Sequence, residues 1–253
     1  MKRLCLALIV LAVAAAPAFA DVTMTTMISS TVGPIVVSGQ STGFEKGTKL
    51  RVDNKFDAQV VKMDQSILLD LVTRQVLVVD HGAREVRAFD AGQALAGLPV
   101  TTGEVSVSVK PTGETKLIVG RVCRGFTIEM SLPMTVNGEA MTMKASGSMW
   151  MAKDDAVLAE YQAAQKTLAD AGVSLMPFGQ GPQAKGMAEV SKALAGAGIM
   201  MEQELHMTVE GASQTAQMMG QMGGITMKLT VTAISTDPIP DSKFAIPEGY
   251  TKK

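Results

Sequence analysis

The chain has 253 residues, a formal net charge of −1 at pH 7 and 47% hydrophobic residues, which is enough to bury one full core. The slightly acidic balance argues against a nucleic-acid partner, and no apolar run after the N-terminal segment is long enough to make an integral membrane protein. Methionine is frequent, with 19 residues, whereas aromatic residues make up 4%. The core must therefore be aliphatic and rich in methionine, which adapts its shape to its neighbours.

The first twenty residues have the pattern of a secretory signal peptide. Lys2 and Arg3 precede an apolar run, and the run ends in an A-x-A cleavage site at Ala20. Cys5 lies before the apolar run, so it cannot be the acylated cysteine of a lipoprotein. We expect cleavage of residues 1–20 and a periplasmic protein in which residues 21–253 form a single domain.

Short alternating or β-branched runs predict a series of strands in the first half of the chain. Turn signals separate them at Gly33-Pro34, at residues 43–47 and at residues 111–114, and residues 91–96 could form one helical turn. The predicted strands are residues 21–31, 35–40, 48–53, 58–63, 66–72, 75–80, 85–90 and 104–110.

The centre of the chain predicts an antiparallel hairpin with one apolar side. Residues 122–132 and 141–151 alternate strictly, which is typical of strands with one buried face. Asn137-Gly138 between them is the strongest short hairpin signal. Cys123 is the one cysteine after the predicted signal peptide, so it cannot form an intramolecular disulfide; either a packed small residue or a reactive thiol fits the sequence.

The periodicity changes after the hairpin. Residues 154–171 and 182–195 predict two helices, and strands return at residues 201–209 and 225–233, with residues 211–224 as a loop. The tail contains three prolines, so we expect it to be extended and packed across the sheet. The predicted fold class is mainly β with inserted α: a curved antiparallel sheet or incomplete barrel covered by about two helices.

The tail sequence SKFAIPEGY at residues 242–250 resembles the end of an uncharacterised family of exported bacterial domains related to the outer-membrane lipoprotein carriers, the LolA-like superfamily. The strand run at residues 66–90, the Gly120 to Phe126 segment and the tryptophan strand before Asp154 are similar to that family as well. The resemblance implies an incomplete barrel whose concave face holds acyl chains or lipids. The carriers' lid arginine has no match here; Arg124 is in phase with the apolar face, which is too little to transfer the role.

No catalytic signature is present, and we expect a non-enzymatic protein without a cofactor. Two candidate metal-binding segments remain. Glu202, Glu204, His206, Thr208 and Glu210 share one face of a strand, where they could bind a metal or simply form the solvated face of the sheet. The sequence favours the solvated face, so no metal ligands are assigned.

A second candidate is the segment around Met218, Met219 and Met222, with Met227 nearby. Thioethers are soft ligands that select Cu(I), so copper binding is one alternative function. A mobile apolar loop that covers the core explains the same residues. A third function, a structural or assembly partner in the envelope, would use an exposed sheet edge.

The leading candidate site is the apolar side of the predicted sheet, which we call the methionine face. A packed core and the floor of a cavity for a hydrophobic or lipid-like ligand are both consistent with it. Its residues are Phe126, Ile128, Met130, Met141, Met143, Met149, Met151, Met207, Met227 and Leu229.

Overall fold

The computed structural model describes residues 21–58, 61–73, 75–90, 100–136, 138–153, 197–212, 214–221 and 223–253. These residues form one large, open, curved sheet of 13 strands. All pairs are antiparallel except that between β13 and β6. The mainly β class is confirmed. The strands are β1 (Val22–Val32), β2 (Ile35–Lys46), β3 (Lys49–Ala58), β4 (Val61–Asp70), β5 (Gln75–Asp80), β6 (Glu85–Asp90), β7 (Val100–Thr102), β8 (Ser106–Ile118), β9 (Arg121–Val136), β10 (Glu139–Ala152), β11 (Ile199–Glu210), β12 (Ile225–Ser235) and β13 (Thr251–Lys252).

The order across the sheet is β13-β6-β5-β4-β3-β2-β1-β12-β11-β10-β9, and β7 and β8 both pair with the remaining side of β9. The first strand therefore lies beside the last long one. This β1–β12 pair joins a meander, β1 to β6, to a second antiparallel unit, β8 to β12. Sequential neighbours pair throughout both units, as consecutive strands of an antiparallel sheet usually do.

The central hairpin is confirmed. Strands β9 and β10 pair without interruption from Val136 and Glu139 to Cys123 and Ala152. Gly138 has a φ of 84° in the turn, a backbone conformation that glycine adopts without steric cost. Strict alternation of side chains in both strands places one side of the hairpin in the core.

Three predicted boundaries are wrong, because pairing carries the strands through residues that have turn or break propensity. Strand β2 continues through Gly43, which pairs with Met24 on one side and Val52 on the other. Strand β8 continues through residues 111–114, where the register shifts without a turn. The strand predicted at residues 58–63 is instead the junction between the end of β3 and the start of β4.

The predicted helices at residues 154–171 and 182–195, and the helical turn at residues 91–96, lie outside the described residues. The loop predicted at residues 211–224 contains helix α1 (Gln214–Gln221). Ala216 on this helix is buried, and α1 packs against β11. Glutamine, methionine and alanine are good helix formers, so a short helix forms once that contact is available.

Two glycines mark where the sheet curves toward the methionine face. Gly147 on β10 alternates in phase with Met143 and Met149, and a Cβ at this position would lie within 2 Å of the backbone oxygen of Glu204 on β11 (1.9 Å). A Cβ at Gly39 on β2 would lie 2.4 Å from a backbone oxygen of β3. A neighbouring backbone can come this close only where no side chain intervenes, so glycine is required at both positions on this side of the sheet.

The C-terminal segment, residues 237–253, crosses the opposite side of the sheet, and we call it the C-terminal strap. It contains a 3-10 turn (Asp241–Phe244) and ends in β13 beside β6. Its Ile246 and Tyr250 pack against the buried cluster of Leu68, Val79 and Val86. The predicted extended, non-helical tail is thus confirmed apart from one short turn.

The β8–β9 turn contains a strained residue. Val119 and Gly120 have φ values of 49° and 72°, the positive pair that a two-residue hairpin turn requires. Asparagine tolerates this conformation, whereas a β-branched residue is an outlier there. Val119→Asn should therefore raise the free energy of unfolding by about 1 kcal/mol, measured by urea denaturation. Val122→Asn in the adjoining extended strand is the control and should give no gain; an equal response of both variants would show that Val119 is unstrained.

Candidate ligand-binding face

The register of strands β9 to β12 places the residues of the methionine face next to one another across four strands. Met149 lies opposite Phe126 on β9 and opposite Gln203 on β11. Ala145 likewise lies between Met130 and Met207. Since partners across an antiparallel pair project to the same side, the predicted residues form one continuous surface.

The structure brings most of the predicted residues into one cluster. It also contains residues that the prediction left out, chiefly Leu132, Ala145 and Leu205, which are buried at its centre. The predicted members that it contains are Phe126, Ile128, Met130, Met143, Met149, Met151, Met207 and Met227.

The two other predicted residues lie at opposite margins of this cluster. Leu229 packs in a neighbouring cluster with Ile28 and Phe56, and Met227 contacts both clusters. Met141 is buried near the β9–β10 turn. The apolar surface therefore extends from the end of the central hairpin across β12 and β1 to β3.

A depression of about 450 Å³ lies at the hairpin end of the methionine face. Met134 and Met141, partners across β9 and β10, form part of its lining together with Pro133. Glu210 and the backbone of Gly211 complete the side toward β11. Thr135 and Thr142 also line the depression. Thr142 and Glu210 are partners on the solvated side of the sheet, so the depression is open and is shared by both sides at the turn end of the hairpin.

Met201 does not join the methionine face, although simple alternation groups it with Gln203 and Leu205. The register shifts between Trp150 and Met151, and this irregularity redirects Met201 into a separate cluster with Cys123 and Ala152. A bulge changes the side to which a strand residue points, which alternation alone cannot show.

Cys123 is a packed residue. Its side chain is fully buried, and the Sγ donates to the backbone oxygen of Arg121 at 3.5 Å. Burial raises the pKa of the Cys123 thiol above its ordinary value, and a hydrogen bond with the backbone of Ile118 and the charge of nearby Lys116 offset this only in part. The reactive thiolate is therefore disfavoured, which supports the packed alternative of the two that the sequence left open.

Two buried amides interrupt the apolar surface. Gln203 is 1% exposed between Met149 and Leu229, and its Nε2 has no hydrogen-bond partner in the described part of the chain. Asn54 on β3 is 2% exposed, and its Oδ1 likewise has no hydrogen-bond partner among the described residues. A buried polar atom without a partner costs about 1–3 kcal/mol, so each amide could bind a polar atom that reaches this side of the sheet.

The acidic strand of the sequence prediction forms the solvated side of β11. Glu204 and Glu210 are exposed and lie near lysines of the adjacent strands, Lys228 at 3.7 Å and Lys144 at 2.7 Å. His206 contacts the hydroxyl of Thr226 at 3.1 Å. Within the described ranges no group of three His, Cys, Asp or Glu side chains is placed to hold a metal ion.

The methionine segment considered for copper is divided by the structure. Met218 and Met219 lie in helix α1 and not in a loop, while Met222 lies outside the described residues. The backbone of Met227 belongs to β12, and its side chain packs on the methionine face. Arg124, in phase with that face, is exposed.

A polar cluster that the sequence did not indicate lies on the opposite side of the sheet, under the C-terminal strap. The Arg51 guanidinium, 9% exposed as a residue, donates to Asp53 Oδ1 at 2.5 Å, to Ser66 Oγ at 2.9 Å and to the backbone oxygen of Lys243 at 2.7 Å. Lys243 Nζ completes the cluster at 3.1 Å from Asp53 Oδ2. A buried guanidinium requires such a set of acceptors.

Ser66 and His81 lie in this cluster in a geometry that invites a catalytic interpretation, since Ser66 Oγ is 2.7 Å from His81 Nε2. Ser66 donates its one proton to Asp53 Oδ1 at 2.7 Å, so His81 Nε2 must donate to Ser66. His81 Nδ1 lies 2.8 Å from the Tyr250 hydroxyl. Both lone pairs of the Ser66 hydroxyl are then occupied, by Arg51 and His81. The buried serine is a structural link between sheet and strap.

The signal that could have found this cluster is weak. Arg51, Asp53 and Ser66 alternate in strands that read as ordinary half-buried strands, and His81 lies in a turn. The spacing of two residues between Arg51 and Asp53 along β3 is the one feature that suggests that they share a side. Their partner in the strap, Lys243, is 192 residues away from Arg51 in the sequence.

Comparison with known proteins adds no identity to this geometry. No protein-family model matches the sequence, and no curated protein is significantly similar to it. Within the described ranges, no helix is long and apolar enough to cross a membrane. The functional argument therefore depends on the residues of the chain itself.

Proposed function

We propose that the protein binds a hydrophobic or lipid-like ligand, without catalysis, on the concave methionine face. The observation that carries this proposal is the continuous apolar cluster of β9 to β12, whose central side chains are buried and whose margin borders the depression beside Met134 and Met141. Methionine side chains have three rotatable bonds and no branch, so such a surface can fit a flexible chain. Each buried methylene contributes about 0.8 kcal/mol.

The ligand class is narrowed by Gln203. Its unpartnered Nε2 is a hydrogen-bond donor within an apolar surface, where it would find its best partner in the carbonyl or carboxylate oxygen of an acyl compound. A pure hydrocarbon would leave this donor unsatisfied. We therefore favour a ligand that carries both an alkyl chain and an oxygen acceptor.

A non-enzymatic role is supported by the polar cluster under the strap. The Ser66 hydroxyl donates its hydrogen bond to Asp53 and accepts hydrogen bonds from Arg51 and His81. It therefore lacks the free lone pair and the base that a nucleophile requires. The cluster also lies on the side of the sheet away from the methionine face. Its chemistry is that of a fold-stabilising network.

The proposal includes the cellular setting. The signal-peptide pattern of residues 1–20 supports export and a periplasmic location. The resemblance of the chain's strand run and tail to the LolA-like superfamily supports an incomplete barrel, covered by helices at residues 154–171 and 182–195, that carries acyl chains. The open curved sheet is compatible with that architecture.

The proposal is tested by titrating the purified protein with a fluorescent fatty acid such as cis-parinaric acid. We expect saturable binding, and about tenfold weaker binding by Met141→Ser, since about 1.4 kcal/mol of apolar contact corresponds to a factor of ten. Gln203→Leu should weaken the binding of the fatty acid but not the binding of an apolar dye without oxygen acceptors. Native mass spectrometry of protein isolated from its own cell envelope should show a co-purifying lipid.

The matched control is Val72→Ser. Val72 is a 74% exposed aliphatic residue in the β4–β5 turn, remote in sequence and register from the methionine face, and its replacement should leave the affinity unchanged. Absence of saturable binding by the unmodified protein, together with empty protein in native mass spectrometry, would refute the proposal.

A further inference from the structure

The β8–β9 turn carries an exposed apolar patch, which we call the hairpin tip and define as Leu117, Val119 and Val122. Leu117 is 71% exposed, Val122 is 62% exposed and Val119 is 36% exposed. Leu117 and Val122 are direct partners across β8 and β9, so they project to the same side. Three aliphatic side chains at the end of one hairpin, which no described residue covers, mark an interaction surface.

Backbone strain supports this assignment. Val119 has a φ of 49°, where asparagine or glycine would be relaxed and a β-branched residue is not. Residues held in an unfavourable backbone region cluster at sites of function. The turn thus places an apolar side chain in solvent at a position that sequence preference would give to a polar residue.

Charge identifies the kind of partner. The nine residues from Lys116 to Arg124 contain three basic residues and no acidic one, although the whole chain has a net charge of −1. Lys116 is paired with Glu202 at 2.7 Å, so the arginines supply the positive charge beside the patch. Arg124 is exposed, and Arg121, the first residue of β9, donates from Nη1 to the backbone oxygen of Val119 at 3.4 Å. Aliphatic residues flanked by arginines fit the boundary between anionic lipid headgroups and acyl chains.

We propose that the hairpin tip docks the protein onto the surface of an anionic phospholipid membrane. Val122, Arg124 and Phe126 alternate along the same side of β9, so the hairpin tip continues the line of the methionine face. Leu117, Val119 and Val122 enter the acyl boundary while Arg121 and Arg124 contact lipid phosphates. This proposal does not depend on the ligand proposed above.

The test is sedimentation of the purified protein with vesicles of phosphatidylglycerol and phosphatidylcholine, compared with phosphatidylcholine alone. We expect binding to the anionic vesicles only. The Leu117→Ser/Val122→Ser double variant should bind at least tenfold more weakly. Arg124→Gln should bind about fivefold more weakly, since each basic residue near the membrane surface contributes about that factor. This difference should vanish in about 0.5 M salt, because screening is then nearly complete.

Val119→Asn provides a variant that keeps the turn, and it should fold at least as stably as the unmodified protein while it binds vesicles more weakly. The matched control is Ile35→Ser/Val36→Ser in another exposed aliphatic pair, 44% and 59% exposed at the β1–β2 turn, which should bind like the unmodified protein. Met141→Ser should also bind vesicles normally, so failure of ligand binding and failure of docking can be told apart.

Three results would overturn the proposal. The first is unmodified protein that stays in the supernatant with anionic vesicles. The second is equal loss of binding in the tip and control double variants. The third is a concentration-dependent dimer that the tip substitutions abolish while vesicle binding is absent, since the patch would then be a contact between two copies along the open edge of β8.

Discussion

Asp53→Ala is expected to lower the free energy of unfolding by about 3 kcal/mol, because it leaves the buried Arg51 guanidinium without its carboxylate. Arg51 Nε and Ser66 Oγ both donate to Asp53 Oδ1, and Lys243 Nζ contacts Oδ2. Loss of the carboxylate therefore weakens the sheet and releases the C-terminal strap. Urea denaturation at pH 7, followed by circular dichroism, measures the change.

The same carboxylate predicts how stability depends on pH. Burial alone would raise the pKa of Asp53, but hydrogen bonds from Ser66 and Arg51 outweigh burial and hold the pKa below its ordinary value of 3.8. A carboxyl group with a lowered pKa in the folded state stabilises the protein fully above its unfolded pKa, and the contribution is lost as pH falls through the folded pKa. The stability difference between the unmodified protein and Asp53→Ala should therefore shrink below about pH 4.

Asp57→Ala is the control, since Asp57 lies on the same strand and is exposed. Exposed substitutions of this kind usually change stability by less than about 0.5 kcal/mol. If Asp53→Ala were no more destabilising than Asp57→Ala at pH 7, the polar cluster would not hold the strap to the sheet.

Gly147→Ala is expected to destabilise the protein by about 3 kcal/mol or more, a large effect for one methyl group. The added Cβ would lie 1.9 Å from the backbone oxygen of Glu204 and 3.0 Å from the Cα of Leu205. Both contacts are with backbone, so neither can be relieved by a side-chain rotation. Strands β10 and β11 would have to separate, and the sheet would lose curvature at the centre of the methionine face.

The measurement is thermal and urea denaturation of Gly147→Ala beside Ser146→Ala, an adjacent exposed residue that projects to the other side of β10. Ser146→Ala should remain within about 0.5 kcal/mol of the unmodified protein. A Gly147→Ala variant with unchanged stability would mean that β11 does not approach β10 this closely, and that the curvature has another origin.

Alternation was sufficient to predict the long strands of the second unit. Burial alternates with period two over residues 126–133 of β9, 141–151 of β10 and 228–232 of β12, because one side is buried and the other is solvated. Eight of the ten predicted residues of the methionine face consequently fall in one cluster. Local pattern succeeds here because each residue's environment depends on its parity within a regular strand.

Local pattern fails where pairing outweighs turn propensity. Gly43 and residues 111–114 predict breaks, but ladder hydrogen bonds to adjacent strands carry β2 and β8 through them. Alternation alone would group Met201 with Gln203 and Leu205, but the register shift near Met151, which has no sequence signature, places it in another cluster. A bulge is decided by the relation of two strands, and one strand's sequence does not contain it.

The sequence by itself determined the mainly β class, the central hairpin and the composition of the methionine face, since all three follow from residue periodicity and a two-residue turn. The tertiary structure decided the β1–β12 pairing, the strap, the polar cluster beneath it and the exposure of the hairpin tip. These features join residues as far apart as Arg51 and Lys243, with a separation of 192. Long-range pairing is selected by the whole sheet's packing, and therefore no local stretch of the chain encodes it.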